Sequence, residues 1–266
     1  MSDFSAAWLD LREPHDHAAR SRRLEERLLD WVKAHECRII ADLGAGTGSN
    51  RRALSTVLPA GPSWYLIEND PVLIEAGRAR LDADARATVR YVEANLAQEL
   101  ETAVPADVDL LTCSALLDLA SLEWLQRLAD LARSRNAALL AVLTHDGQIR
   151  WRPGDPFDAR IATLFERHQR TDKGFGPAQG GDAANLLADM LASDGTVIRD
   201  TSPWQLDTDD RRMQQALLEG YVAAAGEIEP QEAEEIDGWN RQRLKMIEAG
   251  RSKLRVGHMD LLFLPR

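Results

Sequence analysis

The residues with the clearest chemical potential lie in one short stretch, from Asp42 to Gly48. An apolar run ends at the aspartate, and glycines follow at alternate positions, 44, 46 and 48. Glycine accepts positive φ and leaves no Cβ between the backbone and a ligand. The N–H groups at the start of the helix that follows favour negative charge. The stretch therefore predicts a buried strand, a tight turn and a helix start that together approach a bound molecule.

The spacing of these glycines separates two kinds of nucleotide cofactor. A dinucleotide-binding turn carries G-x-G-x-x-G or a close variant. That pattern fails here, because its last position falls on Ser49 when it begins at Gly44 and on Arg51 when it begins at Gly46. The pattern D-x-G-x-G-x-G does fit, and it resembles the first motif of the class I methyltransferases that depend on S-adenosylmethionine (SAM). The alternative is a strand-to-helix turn in another kind of α/β protein.

The resemblance continues at the ends of the next two predicted strands. Glu68 stands where this family places the acidic residue that accepts hydrogen bonds from both ribose hydroxyls, and an ionised carboxylate is an acceptor only. Asn95 stands where many members have an aspartate that holds the adenine amino group, and an amide can also hydrogen-bond the adenine edge. The alternatives are a strand-end charge for Glu68 and a turn residue for Asn95.

SAM is the cofactor that the resemblance implies, and the implied binding residues are spread over several strand ends. Many members cover the cofactor with an N-terminal segment that brings an arginine near the methionine carboxylate. Arg12 and Arg20 are the candidates here, with a surface arginine as the alternative. The predicted cofactor-binding residues are Asp42, Gly44, Ala45, Gly46, Glu68, Asn69, Asn95, Leu96, Ser114 and Arg20.

Candidate catalytic residues follow the predicted fifth strand, where His145 and Asp146 fall at the edge of the sheet that binds ligands in open α/β folds. An imidazole titrates near neutral pH, so one of the two is a candidate general base, and the alternative is a loop histidine beside a turn-forming aspartate. Two cysteines are too few for a structural zinc site, and we expect no metal. The candidate substrate residues are Asp118, Trp151, His168 and Phe175. Asp118 is expected to be exposed in the turn after the fourth strand, and packing in a core or a pocket wall is the alternative for the other three.

These residues need a sheet whose strands end along one edge. Apolar runs separated by helical spacing predict strands near 38–42, 64–67, 89–93, 107–113, 137–143, 196–199 and 254–264. The fold class that follows, with the resemblance, is α/β: a doubly wound, mostly parallel seven-stranded sheet. The resemblance implies that the last strand inserts antiparallel beside the fifth, and the long helical stretches predict helical cap insertions.

We predict a single methyltransferase domain. Its parts are a helical N-terminal segment at 1–35, a SAM-binding core at 36–147, substrate-cap insertions with the sixth strand at 148–253, and the final strand at 254–266. Pro14 is expected to break any helix around it. The glycine-rich loop at 169–181, which contains Lys173 and Phe175, suits a lid over a substrate or an ordinary surface loop.

Composition limits the partners. The chain has 266 residues and a formal net charge of −11, with a sequence pI of about 5.1. A surface this acidic opposes polyanions, so nucleic acid and anionic membranes are disfavoured as partners. No apolar run is long enough to span a bilayer, and residues 1–5 lack the start of a secretory signal. Together with two cysteines, this predicts a cytoplasmic protein, and the oligomeric state stays open.

The predicted function is SAM-dependent methyl transfer to a small molecule by in-line displacement. A sulfonium methyl is already a strong electrophile, so alignment of the acceptor matters most and a strong base is optional. The alternatives are a protein or RNA methyltransferase and a SAM-binding protein without catalysis. A third alternative, an NAD-type oxidoreductase, is disfavoured by the glycine spacing.

Overall fold

A computed structural model describes residues 5–266, so the first four residues of the predicted N-terminal segment lie outside the described part. The described chain forms one sheet with helices on both faces. Its strands are β1 (Ile39–Leu43), β2 (Ser63–Glu68), β3 (Val89–Glu93), β4 (Leu110–Ser114), β5 (Ala138–Arg152), β6 (Gly195–Thr201), β7 (Trp204–Leu206) and β8 (Lys253–Pro265). Its α-helices are α1 (Ala6–Ala19), α2 (Arg22–Ala34), α3 (Ser49–Leu54), α4 (Pro71–Ala79), α5 (Ala83–Thr88), α6 (Leu96–Ala103), α7 (Leu122–Arg135), α8 (Asp158–Gln169), α9 (Ala183–Leu191), α10 (Arg211–Ile228) and α11 (Ala233–Glu248).

The strand order confirms the predicted fold class. The main path of the sheet is β3-β2-β1-β4-β5-β8-β6, and the short β7 pairs with β8 in addition. The neighbouring strands from β3 to β5 are parallel, whereas β8 runs antiparallel to both β5 and β6. The chain winds outward from β1 to β3 and then crosses to β4, so the order reverses between β1 and β4. Ligands of open α/β sheets bind at the carboxyl ends of strands beside such a reversal.

The strand β5 is longer than the sequence predicts. Its partner β4 ends at Ser114, opposite Val142, but β5 continues to Arg152 beside β8. The register shifts between Ala141 and Thr144 and again between His145 and Ile149. The prediction that the fifth strand ends at Leu143, ahead of His145 and Asp146, was therefore wrong. Irregular pairing accounts for the error, because polar residues and a glycine in a bulged strand look like a turn in the sequence.

The helical insertions predicted within 148–253 are present, and three of them pack around the extended β5–β8 ribbon. Side chains of α8, α10 and α11 form an apolar core with Trp151 of β5 and Trp204 of β7. We call this unit the cap lobe. Trp8 and Leu11 of α1 pack against the same core. The cap lobe thereby meets the N-terminal helix beyond the carboxyl ends of the parallel strands.

Pro14 does not break the N-terminal segment, which corrects that prediction. Helix α1 runs through it from Ala6 to Ala19. Proline removes one backbone hydrogen bond from a helix interior, but polar contacts hold α1 on both sides of the proline. Arg80 pairs with Asp10 at 2.7 Å before it, and Trp204 Nε1 donates to Asp16 Oδ1 at 3.0 Å after it. Tertiary contacts thus outweigh the local helix-breaking tendency.

Within 5–266, no helix combines the length and the apolar character needed to cross a bilayer.

Candidate active site

A cavity of about 500 Å³ lies at the carboxyl ends of the parallel strands β1 to β4. Helix α1 covers it with Leu9, Arg12 and Asp16, and the loop after α8 closes another side with Lys173 and Phe175. The predicted cofactor residues that line this cavity are Gly44, Ala45, Gly46, Glu68, Asn69, Asn95, Leu96 and Ser114. The structure therefore brings residues from four strand ends to one place.

The glycine turn after β1 is close to its steric limit. Gly44, Gly46 and Gly48 have φ of 65°, 53° and 81°, a region that L side chains rarely adopt. A Cβ on Gly46 would lie 3.0 Å from Leu9 Cδ1 of α1. The absent side chain thus leaves the backbone of the turn open toward the cavity, as the glycine spacing predicts.

Three backbone N–H groups hold the Glu68 carboxylate in the cavity wall. Oε2 accepts from Gly46 N at 2.8 Å, and Oε1 accepts from Asn69 N at 2.8 Å and Asp70 N at 3.0 Å. A carboxylate offers about four acceptor positions, so one remains for a ligand in this arrangement. The side chain also links the end of β2 to the glycine turn.

Asn95 caps α6 with its side-chain oxygen, which accepts from Ala97 N at 3.0 Å. Its amide nitrogen makes no hydrogen bond to any residue within 5–266. Asn95 is exposed and lines the cavity next to Leu96, so its NH₂ group is available to a ligand. This arrangement fits recognition of the edge of a purine, which has ring nitrogens as acceptors.

Asp42 and Arg20 lie behind the cavity rather than in its wall. Asn50 Nδ2 donates to Asp42 Oδ1 at 2.7 Å, and Arg20 Nη1 donates to Asn50 Oδ1 at 2.8 Å. Burial raises the pKa of Asp42 to about 7. Both residues were predicted to bind the cofactor, but neither lines the cavity, and hydrogen bonds connect them to it through Asn50, which does.

The continuous helix α1 explains which arginine approaches the cavity. It carries Arg12 over the opening and leaves Arg20 beyond its last turn, where Nε contacts Glu25 at 2.5 Å. Arg12 donates from Nε and Nη2 to Asp16, at 2.8 and 3.2 Å. Its guanidinium also lies 5.1 Å from the ring centre of Trp204. Arg12 is therefore a fixed part of the cavity roof.

The loop after α8 separates the cavity from a second, more open depression of about 520 Å³ against α7. Gly174 and Phe175 line both. The Phe175 ring packs edge-on against Trp124, with the ring centres 5.3 Å apart. Among the predicted substrate residues, Phe175 is the one that lines the cavity, in the position expected of a lid residue.

The other predicted substrate residues lie outside the cavity wall. Asp118 is buried between Leu116 and Leu119, which do line it. His168 is one contact further away, with Nδ1 3.3 Å from the Lys173 amine. Trp151 packs in the cap lobe against Trp239, with ring centres 6.1 Å apart, because β5 continues through it. The geometry gives Trp151 a packing role.

The two candidate catalytic residues also lie outside the cavity wall, and they differ from each other. His145 is buried, and burial lowers its pKa to about 4. Its Nδ1 accepts from Gly147 N at 3.1 Å, while Nε2 has no partner within 5–266. Asp146 accepts from Gln148 N at 2.9 Å and fills the space where Gly257 lacks a Cβ. Asp146 thus supports the bulge in β5.

Several cavity residues were absent from the predicted site. Leu9 and Asp16 come from α1, and Asn50 follows the glycine turn. The position of Asn50 at the start of α3 was a usable signal, because side chains there face the same ligand as the turn. Asp16 gave a weaker one, four residues after Arg12 on a helix. Leu9 gave none, since its role depends on how α1 docks.

Residues 5–266 contain no group of three or more His, Cys, Asp and Glu side chains arranged to hold an ion.

No family model matches the chain, and no curated protein matches its sequence. YcgJ from Bacillus subtilis is similar, with 12% identity, a TM-score of 0.50, and coverage of 92% of this chain and 100% of that one. A SAM-dependent methyltransferase from Geobacter sulfurreducens, in complex with S-adenosyl-L-homocysteine, has 15% identity and a TM-score of 0.49, with 100% of each chain covered. One from Thiobacillus denitrificans, in the same complex, has 17% identity and a TM-score of 0.46, with 99% of this chain and 100% of that one covered.

The fold is that of the class I SAM-dependent methyltransferases. Its mark is the sheet order, with an antiparallel strand inserted between two strands that are parallel to each other. At identities this low, structural similarity shows the fold alone.

Proposed function

We propose that the chain is a methyltransferase that takes its methyl group from SAM and transfers it to a small molecule. One observation carries the proposal: a single cavity joins the glycine turn, the Glu68 carboxylate and the Asn95 amide at adjacent strand ends. Its volume of about 500 Å³ lies within the range of about 300–1,000 Å³ for small-molecule sites.

The residues present fit the adenosyl group of SAM. Glu68 retains an acceptor position for a ribose hydroxyl beside its three backbone donors. The Asn95 amide supplies donors for the adenine edge. At Gly46 a Cβ would enter the space between the turn and Leu9, so glycine keeps the backbone accessible to the cofactor.

When bound, SAM supplies an electrophilic methyl group on a sulfonium. The residues of this chain then have to orient the acceptor and exclude water. Helix α1 and the Phe175 loop cover the cavity from two sides, which suits that task. Orientation of two reactants can contribute roughly 7–11 kcal/mol in favourable cases.

A small acceptor is favoured over a macromolecule by the shape and charge of the molecule. The cavity is roofed by Leu9 and Arg12 of α1 rather than lying in an open groove. The formal net charge of −11 opposes RNA. These features support a small molecule as the acceptor.

Calorimetric titration of the purified protein with SAM, S-adenosylhomocysteine and NAD tests the proposal. Either sulfur compound is expected to bind, and at about 100 times its dissociation constant to raise the free energy of unfolding by about 2.7 kcal/mol. NAD is expected to give no response. Folded, cofactor-free protein that binds neither sulfur compound would contradict the proposal.

A further inference from the structure

Lys173 brings a positive charge to the wall of the cavity. It stands in the loop after α8, directly before Gly174 and Phe175, and all three residues line the cavity. Among the lining residues within 5–266, the other cation is Arg12, whose Nε and Nη2 donate to Asp16 at 2.8 and 3.2 Å. Arg12 therefore meets its opposite charge in the same wall, because Asp16 also lines the cavity.

The Lys173 amine forms no ion pair with a carboxylate of the described chain. Its nitrogen lies 3.3 Å from His168 Nδ1 and 3.4 Å from His168 Nε2. Hydrogen bonds from N–H groups usually span about 2.7–3.2 Å, so this contact is long. Asp172, the preceding residue, directs Oδ1 to the backbone N–H groups of Gly174 and Gly176, at 2.7 and 3.0 Å. An ammonium group has three donors, and the described chain leaves most of them free.

His168 connects the Lys173 amine to the cap lobe. Its Nε2 lies 3.1 Å from Glu227 Oε2. An ionised carboxylate can only accept, so Nε2 carries the proton and the lone pair of Nδ1 is left for the amine. His168 belongs to α8 and Glu227 to α10. Lys173 is thus attached to the cap lobe, whereas Glu68 and Asn95 stand at the ends of sheet strands.

Resting on the methyltransferase function proposed above, we propose that the acceptor is a carboxylic acid and that Lys173 binds its carboxylate. The carboxylate accepts from the free N–H groups of the amine, and His168 and Glu227 hold the amine as positioning residues. The acceptor keeps this carboxylate through the reaction, because an oxygen whose lone pairs accept from an ammonium group is a poor nucleophile. Lys173 thereby determines which class of acceptor enters.

The charges of the cavity wall favour an acceptor with a single negative charge. Lys173 supplies one positive charge, and Arg12 is already paired with Asp16. Glu68 and Asp70 add negative charge to the same wall. A phosphate group of the kind carried by phosphoserine has a charge of about −1.5 to −2, which a single lysine does not balance. A carboxylate has a charge of −1, and a cationic acceptor would be repelled by the lysine.

The carboxylate of SAM is the other anion to consider for Lys173. Helix α1 adjoins the glycine turn, since a Cβ on Gly46 would lie 3.0 Å from Leu9 Cδ1. The part of SAM at that turn is therefore covered by α1, which carries Arg12. Lys173 enters the cavity wall from a separate element, the loop after α8. This arrangement leaves Lys173 for the second reactant, and SAM affinity separates the two cases experimentally.

The class of acceptor is tested with methyl-¹³C-labelled SAM and a protein-free small-molecule extract of cells that express the protein. The labelled product is purified and treated with acidic methanol, in which each free carboxyl group gains one methyl group by mass spectrometry. We expect at least one free carboxyl group in the product. A product without one overturns the inference and leaves the proposed function standing. Labelled SAM that binds but yields no product contradicts both, and a protein that does not bind SAM fails at the earlier test.

Variants of Lys173 test its role with the acceptor that the labelling identifies. Lys173→Gln should raise the KM for the acceptor about tenfold, as expected for the loss of a hydrogen bond to a charged group. Its kcat and its SAM affinity by calorimetry should stay close to wild type. Lys173→Arg keeps the charge and should restore most of the acceptor affinity. Lys245→Gln, at an exposed position on α11, is the control and should match wild type.

The positioning role of His168 is tested by combining substitutions. His168→Leu should raise the KM for the acceptor, and the double variant with Lys173→Gln should have the KM of Lys173→Gln alone, because His168 acts through the amine. Increases that multiply in the double variant would overturn the positioning role. A KM for Lys173→Gln within about twofold of wild type, or a SAM affinity that falls as much as the acceptor affinity, would overturn the assignment of Lys173.

Discussion

At the scale of single residues, the site depends on side chains that hydrogen-bond to the backbone and still have a group free for a ligand. Glu68 accepts from the N–H groups of Gly46, Asn69 and Asp70, and the Asn95 oxygen caps α6. Each residue is thus oriented before any ligand arrives. Preorganised groups bind a ligand with less loss of side-chain freedom.

Glu68→Gln should weaken SAM binding. The amide NH₂ would face a backbone N–H in place of a carboxylate oxygen, and a charge-assisted hydrogen bond to the ribose would be lost. Such a bond is worth about 1.5–3 kcal/mol, so we expect SAM affinity to fall roughly 10- to 150-fold in calorimetry. Glu93→Gln, at the exposed end of the adjacent strand β3, is the control. Equal SAM affinities in the two variants would show that Glu68 does not touch the cofactor.

At the scale of elements, the bulge in β5 determines where the polar residues that follow it, His145 and Asp146, lie beside the cavity. Leu143 has a φ of 56°, and its N–H is held by Asp260 Oδ1 of β8 at 2.7 Å. Asp260 Oδ2 also accepts from Ser21 N at 2.9 Å. One buried carboxylate therefore joins the bulge, the final strand and the start of α2. His145 follows the bulge by two residues and owes its direction to it.

Asp260→Ala should destabilise the chain, because two backbone N–H groups would lose their buried acceptor. An unpaired buried group costs about 1–3 kcal/mol, so for two such groups we expect the free energy of unfolding in urea to fall by about 2–6 kcal/mol. Asp260→Asn retains one oxygen and should lose less. Asp189→Ala on the surface of α9 is the control. A loss below about 0.5 kcal/mol for Asp260→Ala, the usual size of a surface effect, would mean that the bulge is stable without this carboxylate.

The sequence alone predicted the features that depend on neighbouring residues. It did not predict the features that depend on how distant segments of the chain pack together. The glycine turn and the ends of β1 to β3 follow from apolar runs and turn residues. Glu68 and Asn95, which line the cavity, could be named from the sequence because they stand at or just after such strand ends. The continuation of β5 was missed, since its pairing partner β8 lies about 100 residues later. The path of α1 through Pro14 was missed for the same reason: Trp204 and Arg80, which hold it, are distant in the chain.

At the scale of the whole molecule, the cap lobe and the sheet meet over the cavity through α1 and the loop after α8. That loop turns at Gly174 and Gly176, whose φ values are 98° and 83°. Asp172 Oδ1 accepts from both glycine N–H groups, at 2.7 and 3.0 Å. The turn is therefore ordered, and Phe175 at its tip is the group that closes the side of the cavity toward α7.

Phe175→Ala should open that side. Removal of the ring loses its contact with Trp124 and joins the cavity to the outer depression. We expect SAM to dissociate about tenfold faster, which corresponds to about 1.4 kcal/mol, with a smaller change in the association rate. Stopped-flow fluorescence of the nearby tryptophan measures both rates. Phe157→Ala, in the turn before α8 in the cap lobe, is the control. An unchanged dissociation rate would remove the lid role from Phe175.

The place of β8 in the sheet has a consequence for biosynthesis. This strand fills the gap between β5 and β6 and carries the buried His258 and Asp260, yet about 100 residues separate it from the end of β5. At roughly 5–20 residues per second, the apolar edge of β5 waits for about 5–20 s on the ribosome before its partner strand exists. An unpaired strand edge is a template for wrong pairing, so the nascent chain is a natural client for chaperones during that interval. The parallel half of the sheet can form early, whereas the extended part of β5 gains its pairing partner only when β8 arrives.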